Sequence, residues 1–194
     1  MKKVLFSLFL VIFCFPAFSQ MNTGSVFAAA NSSFNLGFAT INNIDSNDKN
    51  TVLTYTLNPK LGYFVKNRFG VGAGMEFASS PTDYGRDSRL LFGPFSRYYV
   101  QYGSLIPFGE LSLGYGYQNT IIISLGESFK TKHSLLSAAA GVGTDFFFNE
   151  KIAVEAILKY YYEKQKPTDN LLGEGHTVSG IAAFFGIVIF FESI

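Results

Sequence analysis

Lys60, Glu76, Arg97, Glu110, Asp145, Glu155 and Lys159, with Glu163 as a further candidate, are charged residues set into uncharged runs of this 194-residue chain. Carboxylates at such positions could pair for general acid–base chemistry or relay protons. His133 and His176 supply a second candidate chemistry. Ser134, Ser137, Ser179 and Glu163 stand near them in sequence or across a strand, and His, Ser and acid together can activate a nucleophile for acyl transfer. Both chemistries depend on the elements that carry these side chains.

The stretch "IAVEAILKYYYEK" (152–164) fits two periods. Glu155, Lys159 and Glu163 fall four apart, as on one face of a helix. They are also all odd-numbered, so a strand would leave Ile152, Val154, Ala156, Leu158, Tyr160 and Tyr162 as a row without charge. Three consecutive tyrosines suit a strand better than a helix, and "NEK" before and "KPTDN" after are turn chemistry. The segment is therefore read as a strand.

The same alternation recurs along the chain. In "VLTYTLNPKLGYFV" (52–65) the odd positions are apolar, while Thr54, Thr56, Asn58, Lys60 and Gly62 occupy the even ones. In 69–78, Phe69, Val71, Ala73, Met75 and Phe77 oppose Gly70, Gly72, Gly74 and Glu76. In 107–118, Leu111, Leu113, Tyr115 and Tyr117 oppose Glu110, Ser112, Gly114 and Gly116. Segment 134–148 sets Leu136, Ala138, Ala140, Val142 and Phe146 against Ser137, Gly141, Gly143 and Asp145; 26–39 places Asn31, Ser33, Asn35 and Gly37 on its polar side. Segment 89–100 is less regular, with Arg97 and Gly93 turned inward, and 178–191 is apolar on both faces.

These segments predict eight strands. Their connections alternate between short ("KNR", "QYGSLI", "NEK") and longer, polar ones (40–51, 79–88, 119–133 and 165–176). Segments of about ten residues with short turns at one end and long loops at the other are the signature of an outer-membrane barrel. The expected fold is all-β, an eight-stranded antiparallel up-and-down transmembrane β-barrel. Its uncharged rows would face lipid, where a lone charge at mid-membrane costs roughly 2–4 kcal/mol. Because Thr120 to Ser124 favour strand, the fifth and sixth strands are expected to project beyond the membrane, where an edge could accept a partner by strand addition.

The N-terminus and the composition agree with export. "MKK", the apolar run "VLFSLFLVIFCF" and the small residues Ala17 and Ser19 make residues 1–19 a signal peptide, leaving a single barrel domain at 20–194. Cys14, the only cysteine, falls in that leader, so disulfides and cysteine-ligated metal are excluded from the mature domain. Without Lys2 and Lys3, 13 basic residues face 14 acidic ones, a balance that argues against a nucleic-acid partner.

The blocks "LNPKLGYFVKNRFGVGAGMEF", "GPFSRYY" and "PFGELSLGYGY" resemble the outer-membrane β-barrel domain of Bacteroidetes-type surface proteins, itself similar to the OmpA and OmpX barrels. The resemblance covers residues 20–194 and implies an eight-stranded outer-membrane barrel without a catalytic signature. The chain stops at Ile194, three residues after Phe191, which departs from the usual terminal aromatic and leaves no expected peptidoglycan-gripping domain.

A narrow eight-stranded lumen forces its charges to pair, since each unpaired ion costs on the order of several kcal/mol. The seven interior charges are therefore read as structural, with Lys60, Arg97 and Lys159 meeting the acids. No cofactor, catalytic or metal site is expected. "GVGAG" lacks the spacing of a nucleotide loop, "DSNDKN" (45–50) lacks the glycine and terminal acid of a calcium loop, and two isolated histidines are too few for metal. The expected function is that of a small monomeric outer-membrane barrel with structural, adhesive or protective surface loops. Expected partners are membrane lipid and lipopolysaccharide, and an extracellular protein through the loops. The alternative is a rim enzyme that modifies lipid A or phospholipid. A soluble exported barrel with a ligand cavity would need the opposite parity.

Overall fold

The computed structural model describes residues 21–39, 50–82, 85–100, 105–124, 127–168 and 176–191. The expected leader and most of "DSNDKN" lie outside them. Eight strands follow in order: β1 (Val26–Ala39), β2 (Asn50–Lys66), β3 (Phe69–Thr82), β4 (Gly85–Tyr99), β5 (Leu105–Ser124), β6 (Glu127–Phe147), β7 (Ile152–Pro167) and β8 (His176–Phe191). Each pairs antiparallel with its successor, and β1 closes on β8 through Val26↔Phe191 to Ser32↔Phe185. The fold is a closed all-β up-and-down barrel. Closure gives the main-chain N–H and C=O groups partners around the ring, which an open sheet edge cannot do.

Side-chain parity follows the alternation of the sequence. In β7, Ala153, Glu155, Ile157, Lys159, Glu163 and Gln165 are buried, while Leu158, Tyr160 and Tyr162 are exposed. In β2, Thr56, Asn58 and Lys60 point inward and Leu57, Leu61 and Tyr63 outward. The segment at 152–164 is a strand, and its charge-free row lies on the outside.

Among the described residues, 28 large apolar side chains are exposed and only 14 are buried. Val142, at the centre of the outer wall, is 68 % exposed, whereas Arg97 inside is 0 % exposed. A soluble protein keeps its contiguous apolar patches small, so this exterior is not built for water. Tyrosines edge the band at both ends: Tyr55, Tyr117 and Tyr162 toward the long connections, Tyr63 and Tyr98 toward the short ones.

Two features differ from the sequence reading. The connection at 79–88 is largely strand, as is 119–133, where the fifth and sixth strands extend as expected from Thr120 to Ser124. Ser79↔Ser88 to Thr82↔Gly85 and Asn119↔Lys132 to Ser124↔Glu127 continue the β3–β4 and β5–β6 ladders, leaving 83–84 and 125–126 between them. Their polar residues signal water outside rather than a loss of pairing, and an antiparallel ribbon satisfies its own backbone in either solvent. The lumen is also not polar throughout. At the short-turn end, Phe27, Phe64, Tyr99, Phe108, Phe147 and Phe190 form an aromatic plug, with ring centroids 5.1 Å apart for Phe27–Phe64 and for Phe147–Phe190. Inward glycines make room for it: a Cβ at Gly62 would lie 2.3 Å from the Phe27 ring.

Candidate functional site

The charged residues meet in the lumen in two groups. Above the plug, Arg97 reaches from β4 to Glu110 on β5 and Glu155 on β7. Its Nε donates to Glu110 Oε2 at 3.0 Å and its Nη2 to the same oxygen at 2.5 Å. Nη2 also donates to Glu155 Oε1 at 3.2 Å, while Nη1 donates to Glu155 Oε2 and, at 3.0 Å, to the Tyr99 hydroxyl. All five guanidinium donors are thereby engaged. The Phe108 ring lies 4.1 Å beneath Arg97 Cζ, coupling the network to the plug.

Glu110 is the hub of this group. Lys60 Nζ lies 2.6 Å and 2.7 Å from its two oxygens, and Lys159 Nζ lies 2.6 Å from Oε1. Asn31 Nδ2 donates to Glu155 Oε1. Asp145 stands opposite Glu155 in the β6–β7 ladder and is also fully buried, so two carboxyl groups adjoin. Three cations and three acids therefore share this level of the barrel.

The second group lies nearer the long connections. Arg89 bonds Glu76, and its Nη1 donates to both oxygens of Glu163 at 2.8 Å and 3.0 Å. Asn58 Nδ2 donates to Glu76 Oε2 at 3.3 Å. The structure thus brings Lys60, Arg97, Glu110, Asp145, Glu155 and Lys159 together and places Glu76 apart from them. Arg89 was missed in the sequence reading. Its parity was the available signal, because Arg89 lies eight residues before Arg97 on the same face of β4.

Arg89, Lys60, Lys159, Tyr161, Glu76 and Glu163 line a cavity of about 610 Å³. An eight-stranded barrel is only wide enough for its side chains to fill it, yet at this level they leave it open. Gly74 and Gly93 face each other across β3–β4, Gly114 lies on β5, and small residues such as Ala139 and Ala182 complete the wall, so no side chains remain to occupy the space. An unfilled region of this size can hold a small molecule.

Among the described residues, no His–Ser–acid triad assembles at the rim. His133 is paired in the ladder with Gln118 and Pro167, while Glu163, the acid such a site would need, is committed to Arg89. The side chain of His176 lies outside the description. Among the described residues, no group of three or more His, Cys, Asp and Glu is placed to hold a metal ion.

No protein-family model matches the chain, and no curated protein matches it. Solved structures do. Neisserial surface protein A superposes with a TM-score of 0.51 at 10% identity, over 88% of this chain and 94% of that one. The N-terminal β-barrel domain of Pseudomonas aeruginosa OprF gives 0.49 at 16% identity, over 87% and 98%. Ail, the attachment invasion locus protein of Yersinia pestis, gives 0.44 at 17% identity, over 87% and 99%. At these identities the likeness is one of fold.

Proposed function

We propose that this chain is an integral outer-membrane barrel of the OmpA/OmpX-like type, exported by its leader and oriented with the long connections outside. Its role is structural, adhesive or protective, and no reaction is assigned to it. One observation carries the reading: the barrel wears its apolar side chains outside and holds its ion pairs inside. The outward apolar run of β7, Ile152 to Tyr162, covers eleven residues. At about 3.3 Å per residue and a tilt of about 40°, that is roughly 25 Å, the height of an outer-membrane apolar band.

The absence of catalysis is supported by saturation. Arg97 and Glu110 have spent their bonding capacity on one another and on their neighbours, so these two charges have little to offer a substrate. The proposed partners are membrane lipid around the wall and an extracellular protein at the loop end, with the barrel itself monomeric. Among the described residues, nothing in the rim geometry favours the lipid-modifying alternative.

Fractionation tests the proposal. The protein is expected to remain with the outer membrane after a carbonate wash and to migrate anomalously in a gel unless boiled. A monodisperse sample in detergent-free buffer would overturn it.

A further inference from the structure

Among the described residues, the outer wall toward the long connections carries cations and no acids. Among residues whose side chains are described, Glu76, Asp87, Glu110, Asp145, Glu155 and Glu163, the acids of the strands, all have lumen parity. Among the described side chains, the exposed outward charges at the long-connection end are all basic: Arg86 on β4, Lys130 and Lys132 on β6, Lys164 and Lys166 on β7. A wall shaped only for solubility would mix both signs, as the short-turn end does with Lys66, Arg68, Glu150 and Lys151.

These five residues are neighbours. Lys164 stands opposite Leu136 and Lys166 opposite Ser134, directly along β6 from Lys132 and Lys130. Lys132 faces Asn119 and Lys130 faces Ile121, whose other neighbour across β4–β5 is Arg86. The patch therefore runs over four adjacent strands. It begins where the apolar band ends, above Tyr117 and Tyr162, and Lys132 Nζ lies 4.9 Å from the Tyr117 ring centroid. Like charges gathered on one face repel, so their clustering calls for a counter-charge at that height.

We propose that Arg86, Lys130, Lys132, Lys164 and Lys166 form a docking surface for the phosphate groups of a phosphorylated glycolipid in the outer leaflet. The acyl chains would lie on the apolar wall of β5–β7 while the lysines pair with phosphates at the interface. Charge complementarity and continuity with the apolar band select a lipid headgroup over a free anion. The inference rests on the membrane-barrel reading and names a site on that wall.

The test uses the full-length protein purified in a zwitterionic detergent. Bisphosphorylated lipid A, its dephosphorylated form and inorganic phosphate are the probes, with bound glycolipid per barrel read by native mass spectrometry. The expected result is retention of the bisphosphorylated lipid alone, not displaced by inorganic phosphate. Replacing the four lysines together by glutamine is expected to lower retention roughly tenfold or more, and replacement by arginine to preserve it. The paired changes Lys130→Gln/Lys132→Gln and Lys164→Gln/Lys166→Gln serve if the fourfold variant fails to fold. Equal retention of the dephosphorylated lipid, displacement by inorganic phosphate, or unchanged retention by the glutamine variants would overturn the site. Failure of the membrane-barrel reading would register separately, as loss of the heat-dependent gel shift in the parent protein.

Discussion

The two halves of the lumen solve the narrow-barrel problem in opposite ways. Toward the short turns, large rings and the Arg97–Glu110–Glu155 network fill the space, and Arg97, Tyr99, Phe27 and Glu155 are among the largest fully buried side chains. Toward the long connections, inward glycine, alanine and serine leave a cavity beside a partly exposed Arg89. Charge alone does not distinguish the halves, since each holds an arginine between two carboxylates. Dehydration does. The same pairing is a structural requirement where water is absent and a modest contribution where water reaches.

That contrast can be broken most sharply at Arg97. Arg97→Ala would leave Glu110 and Glu155 buried with their main cation removed, and a loss of about 3–5 kcal/mol is expected. The urea midpoint in detergent should fall accordingly; an unchanged midpoint would mean that the lower network is not holding the barrel. Gly93→Ala comes next. Its Cβ would lie 2.0 Å from the Leu113 carbonyl oxygen, so the β4–β5 backbones would have to part, at a cost of about 1–3 kcal/mol. The temperature at which the gel shift disappears measures this. At Arg89, about a quarter exposed but paired with the buried Glu163 as well as the partly exposed Glu76, Arg89→Gln should cost about 1–2 kcal/mol, less than the loss at Arg97. A loss as large as that at Arg97 would erase the distinction between the halves. The smallest effect is expected at Gly114→Ala, whose Cβ would meet Leu91 and Ser137 at 3.6 Å, an ordinary contact. Its unfolding midpoint should stay within about 0.5 kcal/mol of the parent.

The sequence carried the fold wherever the two faces of a strand meet different solvents. β2 and β7 alternate between apolar and polar residues because one face meets an apolar surrounding and the other an ionic lumen. β8 does not, since its inward row includes Phe184, Val188 and Phe190, which serve the aromatic side of the lumen. β4 is ambiguous for the same reason: Leu91 and Phe95 are buried between the inward arginines Arg89 and Arg97. Arg89 could have been found by extending the Arg97 row through that mixed strand. The cavity could not. It arises from small residues on several strands brought level by register, and no single segment records their summed volume. Strand continuation through 79–88 was likewise hidden, because polar ribbon and polar loop have similar compositions, whereas the β-favouring run Thr120 to Ser124 announced that of β5.

The central claim is that the outward row of the wall meets lipid. Spin labels placed singly along the outward face of β7, at Val154, Ala156, Leu158, Tyr160, Lys164 and Lys166 of the barrel in bilayers, test it most directly. Collision with dissolved oxygen and with a water-soluble relaxant should divide the series. Labels from 154 to 160 should favour oxygen, and those at 164 and 166 the aqueous reagent. If the aqueous reagent reached position 158 as freely as position 166, the apolar exterior would not be a membrane surface.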